Sequence, residues 1–226
     1  MSGESTVNVM TVAVLGGTGK EGSGLAMRWA QSGYRVVIGS RDAERAAAKA
    51  DELNEVLGDG AIAGLSNVDA AAQADLVVLS VPYAAHQAIL ESVKDAVQGK
   101  ILVDVTVPLL PPNIRTVNVP EGKAAVLEAQ ALLGEGVRVV AAFQNISFNH
   151  LKDLDHPIDS DVLMCGDDAD AKLEVARLVE AIDGMRAIDA GPLANAVAVE
   201  SLTPVLMYIN KRYKSSRAGI RITGLD

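Results

Sequence analysis

Two short groups of residues in this 226-residue chain could do chemistry together. Gly17-Thr18-Gly19-Lys20-Glu21-Gly22 spells Gly-x-Gly-x-x-Gly, and Ser40, Arg41 and Arg45 follow at the end of the next apolar run. Glycines at that spacing let backbone approach a pyrophosphate, while free N–H groups at a helix start hold its charge. A site for NAD usually carries Asp or Glu after the second strand, to hold the ribose 2′-hydroxyl. A hydroxyl and two guanidinium groups suit a 2′-phosphate instead, which a carboxylate would repel. The residues point to NADP.

Little else in the chain could move a proton or hold a metal. His86 follows an apolar run closely enough to approach such a site, but one histidine on a helix face is most often structural. His150 and His156 lie in a polar loop at a spacing that matches none of the compact zinc patterns. Asp167-Asp168-Ala169-Asp170 lacks calcium-loop spacing and reads as a helix-start charge cluster. Cys165 falls within an apolar strand and reads as inert core. No catalytic acid, base or nucleophile is therefore expected. Hydride transfer between two carriers tolerates that scarcity, because each cofactor brings its own chemistry and the protein aligns the two rings.

The elements that must position these residues come in a regular rhythm. Apolar runs at 11–15, 35–39, 61–65, 75–81, 100–107 and 137–143 read as strands. Helices are expected at 20–32, 42–57, 67–74, 86–97 and 124–133, several of them stopped by glycine. The alternation predicts an α/β, doubly wound parallel sheet in the order 3-2-1-4-5-6, with ligands off the carboxyl ends of the strands. Pro111, Pro112 and Pro120 stiffen a loop over 109–122 that cannot join a central strand. After a polar loop at 147–160, strands at 161–165 and 185–189, a helix at 168–182 and a long apolar helix at 195–213 make a further unit. That unit either extends the sheet or forms a small lobe, dividing the chain into 1–146 and 147–226.

Composition bounds the rest. A hydrophobic fraction of 49% against 22% charged residues supplies a large core, so disorder is expected only within about the first eight residues. A net charge of −9 and a pI near 4.8 argue against a nucleic-acid partner. One cysteine fits a reducing compartment, no apolar run reaches ~18 residues, and the first residues lack a signal-peptide pattern. These features predict a cytoplasmic protein without a membrane span.

Across nearly its whole length the chain resembles the NADPH-dependent reductases of the deazaflavin coenzyme F420. The likeness rests on Gly16–Gly22, 37–41, Cys165-Gly166-Asp167-Asp168, Ile182-Asp183-Gly184, Asp189-Ala190-Gly191-Pro192-Leu193 and Glu200-Ser201-Leu202-Thr203-Pro204. It implies hydride transfer between NADP(H) and coenzyme F420, with the two rings stacked within roughly 3–3.5 Å. By the same resemblance, Gly17, Thr18, Gly19, Lys20 and Glu21 form the turn around the dinucleotide phosphates. Ser40, Arg41 and Arg45 hold the 2′-phosphate, and Val81, Ala85, Val107 and Phe148 line the nicotinamide half. The segment 147–226 would close the deazaflavin pocket with Ala190–Leu193, and a homodimer is expected. The chain departs from the family pattern at Gln144, where a histidine occurs, at Ser147, where a proline occurs, and at Ala85, where a larger polar residue occurs. Two other readings keep NADPH: a reductase of a flavin, metal chelate or imine, and a non-catalytic NADP(H) sensor, for which the segment after Ser147 would lack a purpose.

Overall fold

A computed structural model describes residues 9–58 and 60–225. The first eight residues, on which the expectation of disorder falls, lie outside the described residues. The strands are β1 (Thr11–Leu15), β2 (Arg35–Ser40), β3 (Ile62–Ser66), β4 (Leu76–Leu79), β5 (Ile101–Asp104), β6 (Arg138–Ala141), β7 (Ser160–Gly166) and β8 (Met185–Asp189). The helices are α1 (Lys20–Gln31), α2 (Ala43–Leu57), α3 (Asn67–Gln73), α4 (Tyr83–Val93), α5 (Ala125–Leu133), α6 (Phe148–Leu151), α7 (Ala169–Glu180) and α8 (Ala196–Tyr213).

All eight strands join one sheet in the order β3-β2-β1-β4-β5-β6-β7-β8. The first six are parallel, in the order the alternation predicts. β7 then runs antiparallel to β6, and β8 runs parallel to β7. The last two strands therefore extend the main sheet, with their direction reversed.

Side chains alternate across a strand, so each strand feeds two cores. Val12 and Val14 pack with Leu25, Trp29, Leu53 and Leu178, which places α1, α2 and α7 on one face. Ala13 and Leu15 pack with Ala70, Ile89, Val126 and Val199, which places α3, α4, α5 and α8 on the other. Each fully buried aliphatic side chain contributes roughly 1.5–3 kcal/mol of apolar transfer free energy. Trp29 adds direction to its core: its ring meets Phe143 edge-on at 5.6 Å, and its Nε1–H donates to the Leu178 carbonyl at 2.9 Å.

β4, β5 and β6 leave the sheet at Leu79, Asp104 and Ala141, earlier than the apolar runs suggest. The residues past those ends stay apolar for another reason. Val81, Val105, Val107 and Phe143 wall a cavity at the carboxyl edge of the sheet. α4 starts at Tyr83, before His86, because Pro82 occupies its N-cap, where a missing N–H costs nothing.

Candidate functional site

The glycine turn is latched onto the end of β2. The Gly16 and Gly17 amides both donate to the Gly39 carbonyl, at 3.1 and 3.2 Å. Gly16 adopts φ +77°, and a Cβ there would lie 2.3 Å from the Ser80 carbonyl oxygen. A Cβ on Gly22 would come within 2.9 Å of the Gly16 oxygen, so only glycine lets α1 start this close to the turn. Gly19 is the N-cap of α1 and makes no side-chain cap bond, which leaves the first-turn N–H groups without a side-chain partner.

Ser40 is buried at the end of β2, while Arg41 and Arg45 are exposed beside it. Neither arginine forms an ion pair among the described residues. The neighbouring Asp42 is engaged elsewhere, its Oδ1 accepting from the Glu44 and Arg45 amides at 3.0 and 3.2 Å. The cap on α2 thus turns the carboxylate next to Arg41 toward its own helix, while both guanidinium groups stay exposed.

From the turn, a cavity of about 490 Å³ runs over the ends of β4 and β5, with Gly19, Lys20, Glu21, Val81 and Val107 in its wall. Gly17 and Thr18 lie outside that wall. Ala85 is also outside it, turned toward the core beneath, and Ala84 takes the lining position. Phe148 lines a second cavity of about 580 Å³, with Arg115, Asn145, Met207 and Lys211. Lys20 and Lys152 sit over its ring at 5.1 and 5.8 Å, near enough for cation–π attraction. Glu21, Leu109, Gln144, Ile146 and Thr203 line both cavities and form the partition between them.

The backbone turns sharply into this partition. Phe143 is fully buried at φ +71°, a conformation costly for a residue with a side chain. That reversal ends β6 and sends Gln144 and Asn145 to the cavity edge. Gln144 Nε2 donates to the Asp104 carbonyl at 2.7 Å, and the Gln144 carbonyl accepts from Thr203 Oγ1 at 2.7 Å. Asn145 Nδ2 donates to the Asp161 carbonyl at 2.7 Å. Gln144 Oε1, Asn145 Oδ1 and Glu21 Oε1 are enclosed yet have no hydrogen-bond partner. Such atoms are costly to leave unpaired; the two amide oxygens fit a ligand that brings donors, and the carboxyl oxygen fits one that shares a proton.

Beneath the site lies a buried ionisable cluster that no sequence signal marked as a unit. His86 Nε2 is 2.7 Å from Asp104 Oδ2, and both side chains are almost wholly enclosed. Burial opposes the imidazolium, but the hydrogen bond and charge of Asp104 outweigh it and raise the His86 pKa. Glu200, 2% exposed, accepts from the Ala125 and Val126 amides at 2.8 and 3.0 Å, and so caps α5 from α8. Its burial pushes its pKa up to about 8. Asp104 stands out only as one acid in an apolar run, and Glu200 only as an acid on an apolar helix.

The other candidates lie apart from the cavities. His150 bonds the Arg217 carbonyl and His156 bonds Asp153, at 2.9 and 2.8 Å. Among the described residues no three His, Cys, Asp or Glu side chains converge to hold a metal. Burial pushes the Cys165 thiol up to about 11, which keeps it unreactive. Ala190–Leu193 does not reach the partition. Because β7 and β8 run opposite to β6, that segment emerges at the far edge, where Leu193 lies beside Val137 and Asp167. α8 makes the return journey, bringing Thr203, Leu206, Met207 and Asn210 to the second cavity.

Comparison with known proteins gives relatives over nearly the whole chain. Residues 11–108 fit the family described as NADP oxidoreductase coenzyme F420-dependent. Over 225 residues the chain is 46% identical to the F420-dependent NADP reductase of Methanothermobacter thermautotrophicus, covering 97% of each. It is 43% identical to the F420-dependent NADP reductase of Methanocaldococcus jannaschii, over 96% of this chain and 100% of that protein. A crystal structure from Arthrobacter sp. fb24, described as a candidate F420-dependent NADP-reductase, superposes with a TM-score of 0.81 at 29% identity. It covers 95% of this chain and 99% of that one. Relatives matched end to end, on a sheet whose carboxyl edge holds two adjoining cavities, make this chain a member of the F420-dependent NADP reductase family.

Proposed function

We infer that the protein is an oxidoreductase passing a hydride directly, ring to ring, between NADP(H) and coenzyme F420. One observation carries the reading: the cavity that starts at the glycine turn shares a wall with a second cavity, so two ligands can meet at the partition. The residues fit both groups. Gly16 and Gly22 make a turn that a Cβ would fill, and Ser40, Arg41 and Arg45 would hold a 2′-phosphate. Gly17, Thr18, Gly19, Lys20 and Glu21 would surround the dinucleotide, with Val81 and Val107 against the nicotinamide half. Bound there, NADPH supplies the hydride. The chain orients it and excludes water with Val81, Val107, Leu109 and Ile146. Gln144, Asn145 and Phe148 would receive the deazaflavin, with the unpaired Oε1 and Oδ1 atoms accepting from its N–H groups.

The same reading makes 147–226 the part that closes the deazaflavin pocket, through Ser147–Asn149 and α8. It also assigns a homodimer to the outer stripe of α8, where Val205, Tyr208, Ile209 and Tyr213 are exposed. A cytoplasmic setting suits the lone reduced thiol, Cys165. Mixing the protein with NADPH and F420 and following loss of the oxidised deazaflavin absorbance tests the activity. Turnover is expected; NADPH binding without turnover would replace F420 by another acceptor.

A further inference from the structure

Of all the polar groups at the partition, Glu21 alone can carry a transferable proton and faces both cavities. We propose that Glu21 is the proton donor that accompanies hydride transfer to the acceptor ring, and the proton acceptor in the reverse direction. The inference rests on the hydride-transfer reading above and extends it. NADPH and an oxidised deazaflavin become NADP⁺ and a reduced deazaflavin only with one added proton. The C–H bond at nicotinamide C4 breaks and one forms at the deazaflavin carbon, carrying the electron pair. The O–H bond of Glu21 breaks and an N–H bond forms on the acceptor ring. Water at the mouth of the second cavity then reprotonates the carboxylate.

Placement supports this role. Glu21 sits in the first turn of α1, yet its Oε1 is enclosed at the partition without a hydrogen-bond partner. A carboxylate pointed at a pyrophosphate would repel it, whereas a carboxyl group in the wall shared by the two cavities would stand between two bound rings. Burial raises its pKa to about 8, so it is protonated at neutral pH. The charged and titratable groups facing it are Lys20, held over Phe148, Arg115 and Lys211 across the second cavity, and Tyr83 across the first. None of them offsets the effect of burial. Oxidation then couples to release: the nicotinamide ring becomes cationic beside Glu21 and favours its carboxylate.

Proton release on NADP⁺ binding, read with an indicator dye in weak buffer, tests the proposal without F420. At pH 7 the wild type should release about one proton per site more with NADP⁺ than with NADPH, and E21Q should lose that difference. With F420 added, reduction by the wild type should slow as pH rises through about 8. E21Q should be slower by about 10²–10⁴-fold and flat across that range. Equal proton release in the two proteins, or an E21Q rate within about threefold of wild type, would overturn it. The proton difference without F420 turnover would keep Glu21 as the titrating group and reject F420 instead. Should E21Q fail to fold, carboxyl NMR of the wild type decides: titration near 4 overturns the role, and titration near 8 supports it.

Discussion

Arg28 Nε donates to the Leu151 carbonyl at 3.1 Å, so the helix that begins at the glycine turn also holds the segment carrying Phe148. The same guanidinium, 4% exposed, reaches the carbonyls of His150, Asp153 and His156. Its fork collects a whole loop end, which a lysine cannot reproduce.

Arg28→Ala should therefore cost about 3 kcal/mol or more, since several bonds to a charged donor vanish and buried carbonyls lose their partner. Acceptor binding should weaken more than NADP binding, because Phe148 lines the second cavity and not the first. Denaturant unfolding and the two dissociation constants check both parts. R28K should recover little of the loss.

Arg41→Ala should weaken NADPH binding by about 1.5–3 kcal/mol, or roughly 10- to 150-fold, with NADH almost unchanged. Arg45→Ala should act in the same direction. Titration of both nucleotides against both variants is the measurement. Equal losses for NADPH and NADH would show that neither guanidinium reads the 2′-phosphate.

Three buried groups give stability a pH dependence of one sign, Glu21 acting as Glu200 does because burial raises its pKa to about 8 too. His86 has its folded pKa raised by Asp104, so its contribution is full below the ordinary imidazole value near 6.5 and fades as pH rises through the folded one. Glu200 binds its proton more tightly when folded, so stability declines from the ordinary carboxylate range up to about 8. Melting temperature should thus fall from pH 5 to pH 8. H86Q and E200Q should each flatten that slope.

Asp161 behaves oppositely. Its wholly buried carboxylate takes Arg186 at 2.8 and 2.9 Å, Arg221 at 2.8 Å and the Ile222 amide at 2.6 Å. The Arg186 hydrogen bond, foremost, holds its pKa well below the usual carboxylate range. That stability is present above about 3.9 and is lost as pH falls toward the folded value. Asp161→Asn should cost about 3–5 kcal/mol at neutral pH and loosen residues 220–222, measurable by unfolding and by amide exchange there.

Much of the architecture could be read from alternation alone. β1 and β2 are short, and their apolar runs, 12–15 and 36–38, are each followed at once by a glycine, so their ends and register left little choice. The direction of β7 could not be read, because a parallel and an antiparallel partner of β6 present the same pattern of Val162, Met164 and Cys165. Its reversal is why Ala190–Leu193 lies away from the pocket. Arg41 and Arg45 were legible as a pair because they follow a strand end. The Phe143 reversal was not, since nothing local distinguishes it from a continuing strand. The His86, Asp104 and Glu200 cluster joins three distant elements, and only the folded sheet brings them together.

The long return of α8 has a geometric consequence. Over 18 residues it travels about 27 Å, with Ala196, Val199, Glu200, Thr203, Leu206, Met207 and Asn210 on one inward stripe. Each residue turns the stripe by about 100°, so one amino acid inserted within α8 just after Glu200 would rotate Thr203, Leu206, Met207 and Asn210 away from their partners. The pocket wall is in this sense phased from the opposite end of the molecule, like a shaft set by its far bearing. A change in helix length there alters what a ligand in the second cavity would meet without altering any residue that lines it.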